Sequence, residues 1–535
     1  MIPIHPGESL SLWIEGVELA VYPALVKDIE VDVCIIGGGI AGLTSAWLLL
    51  EEGKSVCVLE DFEIGSGQTG RTTAHFTTAL DQRYFTLEKY HGLRGAKLAA
   101  ESHALAIQKV EEIIHQESIQ CDLERVDGFL FTYPGDVSNE IRRELDACHR
   151  AGLKDVYPLA KAPLPFQAGA ALCFPNQLQL HPFRYIQGLA QAISKNGGQI
   201  YTHSHVEEVQ GGKRAQVKLR NGHIVRCKSV IVATNTPIND RFSLHTKQAS
   251  YRSYVIGLRI PKGTVPKGLY WDTEDPYHFL RVFKDEHLST HDILLVGGED
   301  HKTGQNDEPQ NCYTELEKWA RKRFPNADRV LYRWSGQIVE PFDGLAYIGK
   351  NPLDDDNVYV ITGHSGNGMT YSTLAGMLLT DLIMGRKNEW QELYRPNRVS
   401  LRATPTYLRE NANTAAQYMD WFRESQFSDL ANLDPGEGIV YREGIHLLAA
   451  YKDEGGKVEK HSAICPHLGG IVRWNTAEKS WDCPCHGSRF DCHGKVIEGP
   501  ANSDLKVIDT SKEEPMPEIP PEPTKDEELR RTKNL

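Results

Sequence analysis

Four side chains near the C-terminal end of the chain are of the types that hold metals in proteins. Cys465 and His467 form a C-x-H pair, and after fifteen intervening residues Cys483 and His486 form a C-x-x-H pair. Thiolate sulfur and imidazole nitrogen are ligands of both zinc and iron. Structural zinc sites normally open with C-x-x-C or a longer spacing, so the pattern favours an iron-sulfur cluster and leaves zinc as the alternative.

A glycine-rich turn near the N-terminus has the spacing of a dinucleotide-binding loop. Gly37, Gly39 and Gly42 form G-x-G-x-x-G between a buried apolar run, VDVCII, and a helical pattern that opens with Ile40 and Ala41. Glu60 follows a second apolar run, 23 residues after the first glycine. The glycines allow a tight turn, close approach of a pyrophosphate and helix packing, and the acidic residue accepts hydrogen bonds from a ribose.

Two further polar, glycine-rich segments favour FAD over a nicotinamide cofactor. GSGQTGRTTAH, residues 65–75, is longer than a simple helix-to-strand connection, and TGHSGNGMT, residues 362–370, precedes a helix. Both offer backbone to a large ligand, and the dipole of the second helix favours negative charge at its N-terminus.

The order of apolar patterns predicts several domains. Buried strands of one α/β sheet are expected in residues 28–95, 180–240 and 335–395, interrupted by an antiparallel sheet over about 242–334. Together they form a module of residues 1–395, followed by a linker at 396–428 and a small all-β domain at 429–510. The last segment, 511–535, has five prolines and no aromatic residue and is expected to be disordered.

Bulk composition limits the partners and the location. The chain has 535 residues and a net charge of -13, which argues against nucleic acid as the main partner. No apolar run reaches the roughly 18 residues of a membrane span, and no targeting segment is visible at the start, so we expect a cytoplasmic protein that is not an integral membrane protein.

The first 400 residues resemble the FAD-dependent family of D-amino-acid oxidase, glycine oxidase and sarcosine oxidase. The segments that carry the resemblance are VCIIGGGIAGLTSAWLL, GSGQTGRTT, QLQLHPFRYIQGLAQAISKNGGQIY, VIVATN, FDGLAYIG and ITGHSGNGMTYSTLAGMLLTDLI. The resemblance implies a Rossmann-like FAD-binding domain with an inserted substrate domain, and an amine or amino acid as electron donor. Non-covalent FAD is expected, because WSGQIVEPFDG lacks the cysteine of some covalent relatives.

The same resemblance implies the residues of the FAD site and of the substrate site. The implied FAD contacts are Gly37, Gly39, Ile40, Ala41, Gly42, Glu60, Arg71, Thr72, Thr73, Val206, Ala233, Thr234, Gly363, Gly366, Asn367, Gly368 and Met369. The candidates for catalysis are His364 in the flavin-side turn, and Arg281 and Tyr254 in the inserted sheet. Arg281 would clamp a substrate carboxylate. Residue type alone favours a packing role for Tyr254 and a surface ion pair for Arg281.

Residues 429–510 resemble a Rieske [2Fe-2S] domain through CPHLGG, CPCHGS and SRFDCHGKVIEGPA. The implied ligands are Cys465, His467, Cys483 and His486. High-potential Rieske proteins carry a disulfide beside the cluster, whereas this chain has Cys485 but Gly470 at the partner position, so no such disulfide is expected. Ser488 matches a serine that donates to cluster sulfur, and Phe490 replaces a tyrosine donor, which should lower the reduction potential.

The two resemblances together predict an enzyme with two redox centres. An amine or amino acid would reduce FAD, which would pass electrons singly to the [2Fe-2S] cluster and then to an external acceptor, a protein or a quinone. A non-enzymatic redox carrier or sensor, and a reductase in which the Rieske domain is the electron entry, are the alternatives. A Rieske oxygenase is disfavoured because Asp146 and His149 supply only part of a mononuclear iron site.

Overall fold

A computed structural model describes residues 9–508, apart from residues 16, 18–19, 137–138, 240–243, 285–289, 353 and 423–429. The segment 511–535, expected to be disordered, lies outside the described residues. Within the described part of the chain, no helix combines the length and apolar character required to cross a bilayer.

The helices and strands alternate over the first 400 residues and give way to short strands afterwards. In chain order the helices are α1 (Ile40–Glu51), α2 (Tyr84–Gln116), α3 (Glu140–Ala151), α4 (Pro182–Lys195), α5 (Gln310–Arg323), α6 (Gly368–Ile383), α7 (Gln391–Tyr394) and α8 (Thr404–Gln417). The strands are β1 (Ile29–Glu30), β2 (Val33–Ile36), β3 (Val56–Leu59), β4 (His75–Phe76), β5 (Glu124–Phe131), β6 (Tyr157–Leu159), β7 (Ala171–Gln179), β8 (Gln199–Tyr201), β9 (Val206–Gln210), β10 (Gln216–Leu219), β11 (Ile224–Arg226), β12 (Ser229–Val232), β13 (Gln248–Pro261), β14 (Leu269–Asp272), β15 (His278–Phe283), β16 (His291–Lys302), β17 (Val330–Pro341), β18 (Tyr347–Lys350), β19 (Val358–Thr362), β20 (Gly438–Glu443), β21 (His446–Lys452), β22 (Val458–Ser462), β23 (Arg473–Asn475), β24 (Ser480–Asp482), β25 (Arg489–Asp491) and β26 (Val496–Glu498).

A six-stranded, mainly parallel sheet forms the nucleotide-binding layer. Its order is β18-β19-β12-β2-β3-β8, and only the β18–β19 pair is antiparallel. All residues of β2 and β3 are buried, as expected for parallel strands covered by helices on both faces. The predicted strand before the glycines and the predicted helix after them are confirmed by β2 and α1.

A larger mixed sheet covers this layer and extends beyond the expected range of 242–334. Its order is β17-β13-β16-β15-β14-β5-β7-β4, with β6 paired to β7. Strands β4 to β7 come from residues 75–179, and β14 pairs with β5 in parallel. The sheet therefore joins two stretches that are distant in sequence, and it is not purely antiparallel.

The C-terminal region is all-β, as predicted. It consists of a three-stranded sheet, β20-β21-β22, and a four-stranded sheet, β23-β24-β25-β26. The preceding segment, expected to be a linker, contains α8, which contacts both neighbouring regions. The Lys302 ammonium pairs with Glu410 on α8, and Arg473 of the all-β region donates to the side-chain oxygen of Gln417 at the end of α8 at 3.0 Å.

Candidate functional site

A cavity of about 310 Å³ lies between the six-stranded sheet and the mixed sheet. At one end it is lined by the turn after β2, the end of β3 and the residues that start β9. At the other end it is lined by Ser253 on β13 and Trp271 on β14. Tyr277, just before β15, and Phe279, on β15, complete this end. The cavity thus spans from the start of α1 to the underside of the mixed sheet.

The turn before α1 is shaped to bring backbone against a ligand. Gly37 has a φ of 110°, which glycine adopts without steric cost, and a Cβ on Gly42 would overlap the carbonyl oxygen of Gly37. The Gly38 N–H donates to the Glu60 carboxylate at 2.6 Å, and burial raises the pKa of Glu60 to about 7. Gly39 precedes α1 and supplies no capping side chain. The Ile40 N–H donates to the Thr69 hydroxyl at 3.0 Å, and the positive end of the helix dipole favours an anion here.

Two histidines with unpaired ring nitrogens line the cavity. The Nε2 atoms of His75 and His364 are buried and have no hydrogen-bond partner among the described residues. Burial lowers the pKa of His75 to about 3 and that of His364 to about 4, so both rings are neutral at pH 7. Buried polar atoms normally have a hydrogen-bond partner, which a ligand bound in the cavity would supply to these two nitrogens.

The four metal-ligand candidates are brought together in the all-β region. Cys465 and Cys483 are each 2% exposed, and the ring centroids of His467 and His486 are 5.1 Å apart. One tetrahedral ion would draw its ligand atoms within a few ångströms of one another. Among the described residues, ligand atoms lie close enough together to hold a single ion at Asp272, Glu274 and His278. The ligand atoms of the four candidates are not that close together. The wider spacing agrees with ligands shared between two irons.

Comparison with known proteins agrees with both parts of this geometry. Residues 32–382 match the family model of FAD dependent oxidoreductases, and residues 420–509 match that of the Rieske [2Fe-2S] domain. The chain is 32% identical over 500 residues to YhfW of Bacillus subtilis (strain 168), named as a Rieske 2Fe-2S iron-sulfur protein, covering 93% of this chain and 97% of that one.

The chain belongs to the FAD-dependent oxidoreductase family. It is also 27% identical over 384 residues to gamma-glutamylputrescine oxidoreductase of Escherichia coli (strain K12), covering 68% of this chain and 86% of the relative. The crystal structure of glycine oxidase from Geobacillus kaustophilus has the same fold, with a TM-score of 0.59 and 19% identity over 69% of this chain and 99% of that one. FAD and a [2Fe-2S] cluster are therefore its cofactors.

Most of the residues expected to contact FAD line the cavity, and we propose that they hold it. The lining includes Gly37, Gly39, Ile40, Ala41, Glu60, Arg71, Thr72, Thr73, Val206, Ala233, Thr234, Gly366, Gly368 and Met369. Three of the expected residues are not part of the lining: Gly42, Gly363 and Asn367. Asn367 accepts a hydrogen bond from the Asp81 N–H and donates to the Ala79 carbonyl, so its amide supports the wall of the site.

The structure does not bring Arg281 or Tyr254 to the cavity, which differs from the expected catalytic set. The guanidinium of Arg281 donates to the carbonyls of Thr73, Ala74 and Leu180, and its remaining Nε atom is buried outside the lining of the cavity. Tyr254 points to the opposite face of β13, where its hydroxyl contacts His301 at 2.9 Å. Of the three residues expected to be catalytic, His364 alone lines the cavity.

Part of the Rieske domain closes the FAD cavity, which the sequence did not predict. Residues 496–499, 501 and 502 line it, and the Asn502 amide donates to the carbonyl of Val206 at 2.9 Å. Gln68 of the FAD loop donates to the Glu498 carboxylate at 2.6 Å. No local sequence signal predicts these contacts, because they join residues about 300 to 430 positions apart.

A buried ionic cluster docks the two modules. The carboxylate of Glu478, on the Rieske side, lies 3.5 Å from the guanidinium groups of both Arg71 and Arg252. Arg489 pairs with Asp482 at 3.0 Å, and the side chains of Arg252 and Glu478 are fully buried. Buried side chains of opposite charge therefore join the Rieske domain to the FAD module.

The loops around the four ligand candidates have some of the features that were expected to affect the reduction potential. A Cβ on Gly470 would lie 2.6 Å from the Cys485 sulfur, so a glycine stands where the second half of a disulfide would be. Cys485 is a buried free thiol. The Ser488 hydroxyl accepts from the Ala501 N–H, and Phe490 is fully buried beside it.

Proposed function

We propose that the chain oxidises an amine or amino acid at a CH–NH bond and delivers the electrons through its Rieske domain to an external acceptor. The reaction removes two electrons and two protons from the donor to give a C=N product, and reduces the acceptor twice by one electron. When bound, FAD supplies two-electron acceptance with one-electron release, and the cluster supplies one-electron transfer. The family and the named activities of the two enzymes above support this donor class.

The residues around the cavity have roles that fit this chemistry. Trp271, Tyr277 and Phe279 form an aromatic wall that excludes water from the donor. His364 is neutral at pH 7 and offers a ring nitrogen that accepts a hydrogen bond from a donor N–H. An amine that loses hydride needs little general base catalysis, and a weakly basic histidine is sufficient to orient it.

The observation that carries the proposal is a direct contact between the FAD cavity and a cluster loop. Gln337 lines the cavity, and its amide donates to the carbonyl of Gly487 at 3.0 Å. Gly487 is next to His486, whose own carbonyl accepts from the Ser250 hydroxyl at 3.2 Å. One side chain therefore contacts both the FAD site and the loop of a proposed iron ligand, and this closeness supports electron transfer between them.

Replacing Gln337 with leucine is expected to slow reduction of the cluster about threefold to tenfold. The variant loses one hydrogen bond to the cluster loop, which contributes about 1 kcal/mol. Reduction of FAD by the donor should keep its rate. Stopped-flow absorbance of both centres after anaerobic mixing measures the two rates separately.

Gln305→Leu is the matched control for this variant. The Gln305 amide also donates to the cluster loop, at the carbonyl of Pro484 at 3.0 Å, but Gln305 is outside the lining of the cavity. Equal slowing by both variants, or no slowing by Gln337→Leu, would remove Gln337 from the electron route.

A further inference from the structure

A short segment of the Rieske domain forms part of the wall of the FAD cavity, and it is called here the Rieske wall. It consists of residues 496–502, that is, β26 and the residues that follow it, and all of them except Pro500 line the cavity. The match to the FAD dependent oxidoreductase family ends at residue 382. The Rieske wall therefore lies outside the part of the chain that the family assigns to the cofactor.

Ile497 on the Rieske wall has an apolar side chain that belongs to no protein core. Successive side chains of a strand point to opposite faces. Val496 packs in the core of the Rieske domain, whereas its neighbour Ile497 lines the FAD cavity. Ile497 is half-buried and is a member of none of the hydrophobic cores that the described residues form. Contact with the apolar parts of a bound FAD would remove this side chain from water.

Hydrogen bonds hold the Rieske wall against the FAD module. The Asn502 amide donates to the carbonyl of Val206 at 2.9 Å, and the Glu498 carboxylate accepts from the Gln68 amide at 2.6 Å. Val206 and Gln68 both line the cavity. The two modules are therefore joined at the FAD site itself.

The Rieske wall is also built into the fold of its own domain. Strand β26 pairs with β25 in the four-stranded sheet, and the Ala501 N–H donates to the Ser488 hydroxyl at 2.9 Å. The Val496 N–H donates to the Asp504 carboxylate at 3.0 Å. Because these bonds join the segment to the Rieske domain, the Rieske wall moves away from the cavity together with that domain.

We propose that FAD is bound by both modules, with Ile497 and the rest of the Rieske wall in contact with the cofactor, so that the docked Rieske domain slows the release of FAD. The buried ion pairs of Glu478 with Arg71 and Arg252 strengthen this effect, because they oppose separation of the modules. The inference concerns the binding of FAD and holds whichever donor or acceptor the enzyme uses.

The rate at which FAD leaves the oxidised full chain tests this inference without turnover. Released FAD is followed by its fluorescence after a large dilution. Ile497→Ala is expected to raise the rate constant of release at least about tenfold, because the variant loses three carbon atoms of apolar contact. Ile439→Ala is the matched control, since Ile439 is also half-buried on a strand of the Rieske domain, β20, but is outside the lining of the cavity. It should release FAD at the wild-type rate.

Hydrogen exchange of the wild-type full chain, with FAD and after its removal, tests the contact without any substitution. FAD should slow exchange of the backbone amides in residues 496–502 at least about tenfold and leave β21 of the same domain unchanged. The EPR spectrum of the reduced cluster shows that the Rieske domain is folded in every sample. Equal FAD release by wild type and Ile497→Ala, or an equal effect of FAD on exchange in both segments, would overturn the inference.

Discussion

Replacing Cys483 with alanine is expected to abolish the [2Fe-2S] cluster while FAD remains bound. Cys483 is 2% exposed and is one of the two thiolates proposed for one iron, so water cannot readily take its place. Removing a residue that only hydrogen-bonds to a metal ligand lowers affinity or activity about 10- to 100-fold. Loss of a ligand itself should therefore lower turnover with a one-electron acceptor by at least about 100-fold. Iron analysis, the EPR spectrum of the reduced protein and the FAD content together measure the result.

Cys492→Ser is the control for that variant. Cys492 lies in the same domain and begins a C-H-G motif, but its distance in sequence from the other candidates does not match the Rieske ligand pattern. Its backbone carbonyl accepts a hydrogen bond from the Trp481 indole at 3.4 Å. The serine variant should retain the cluster and its signal. A cluster that survives Cys483→Ala, or disappears in Cys492→Ser, would contradict the proposed ligand set.

Replacing Glu478 with alanine is expected to destabilise the docked Rieske domain by about 3–5 kcal/mol. The change leaves the fully buried guanidinium of Arg252 and that of Arg71 without the carboxylate that lies 3.5 Å from each. Arg252 keeps the Glu498 carboxylate at 3.9 Å, but a buried cation that loses its nearest carboxylate is destabilised by about this much because the protein interior solvates it poorly. Denaturant titration, followed by the visible absorbance of the cluster, gives the free energy of unfolding.

Glu459→Ala provides the matched comparison within the same domain. Glu459 pairs with Lys457 at 2.8 Å and His493 at 2.7 Å near the surface, where ion pairs contribute less than about 1 kcal/mol. Burial opposes ionisation of Glu478, but Arg71 and Arg252 outweigh it and lower its pKa to about 2. Its stabilisation is therefore complete above about pH 4.5 and is lost as the pH falls toward 2. Equal destabilisation by the two variants would contradict a buried docking cluster.

The parts of the molecule that could be predicted from sequence depend on short spacing. Gly37, Gly39 and Gly42 fall within six residues, between the strand and the helix that their chemistry requires, and the four Rieske ligands fall within 22 residues. Local steric rules and metal coordination restrict such segments strongly, so their pattern indicates the fold and both cofactors.

The remaining features depend on contacts between distant segments. The partnership of β5 with β14 and the docking of Glu478 against Arg252 leave no trace in local periodicity. Arg281 was expected to face a substrate, yet burial places it among backbone carbonyls of the FAD loop.

One chain is expected to carry electrons from a CH–NH donor through FAD to its own Rieske cluster. The most direct test is an anaerobic titration of iron-replete protein with diamines, N-methyl amino acids and amino acids, recording flavin absorbance and then the frozen EPR spectrum. Flavin bleaching together with the rhombic EPR signal of a reduced Rieske cluster is the expected result. No change in either centre with any donor, while dithionite reduces both, would contradict it and favour a redox carrier or a flow of electrons in the opposite direction.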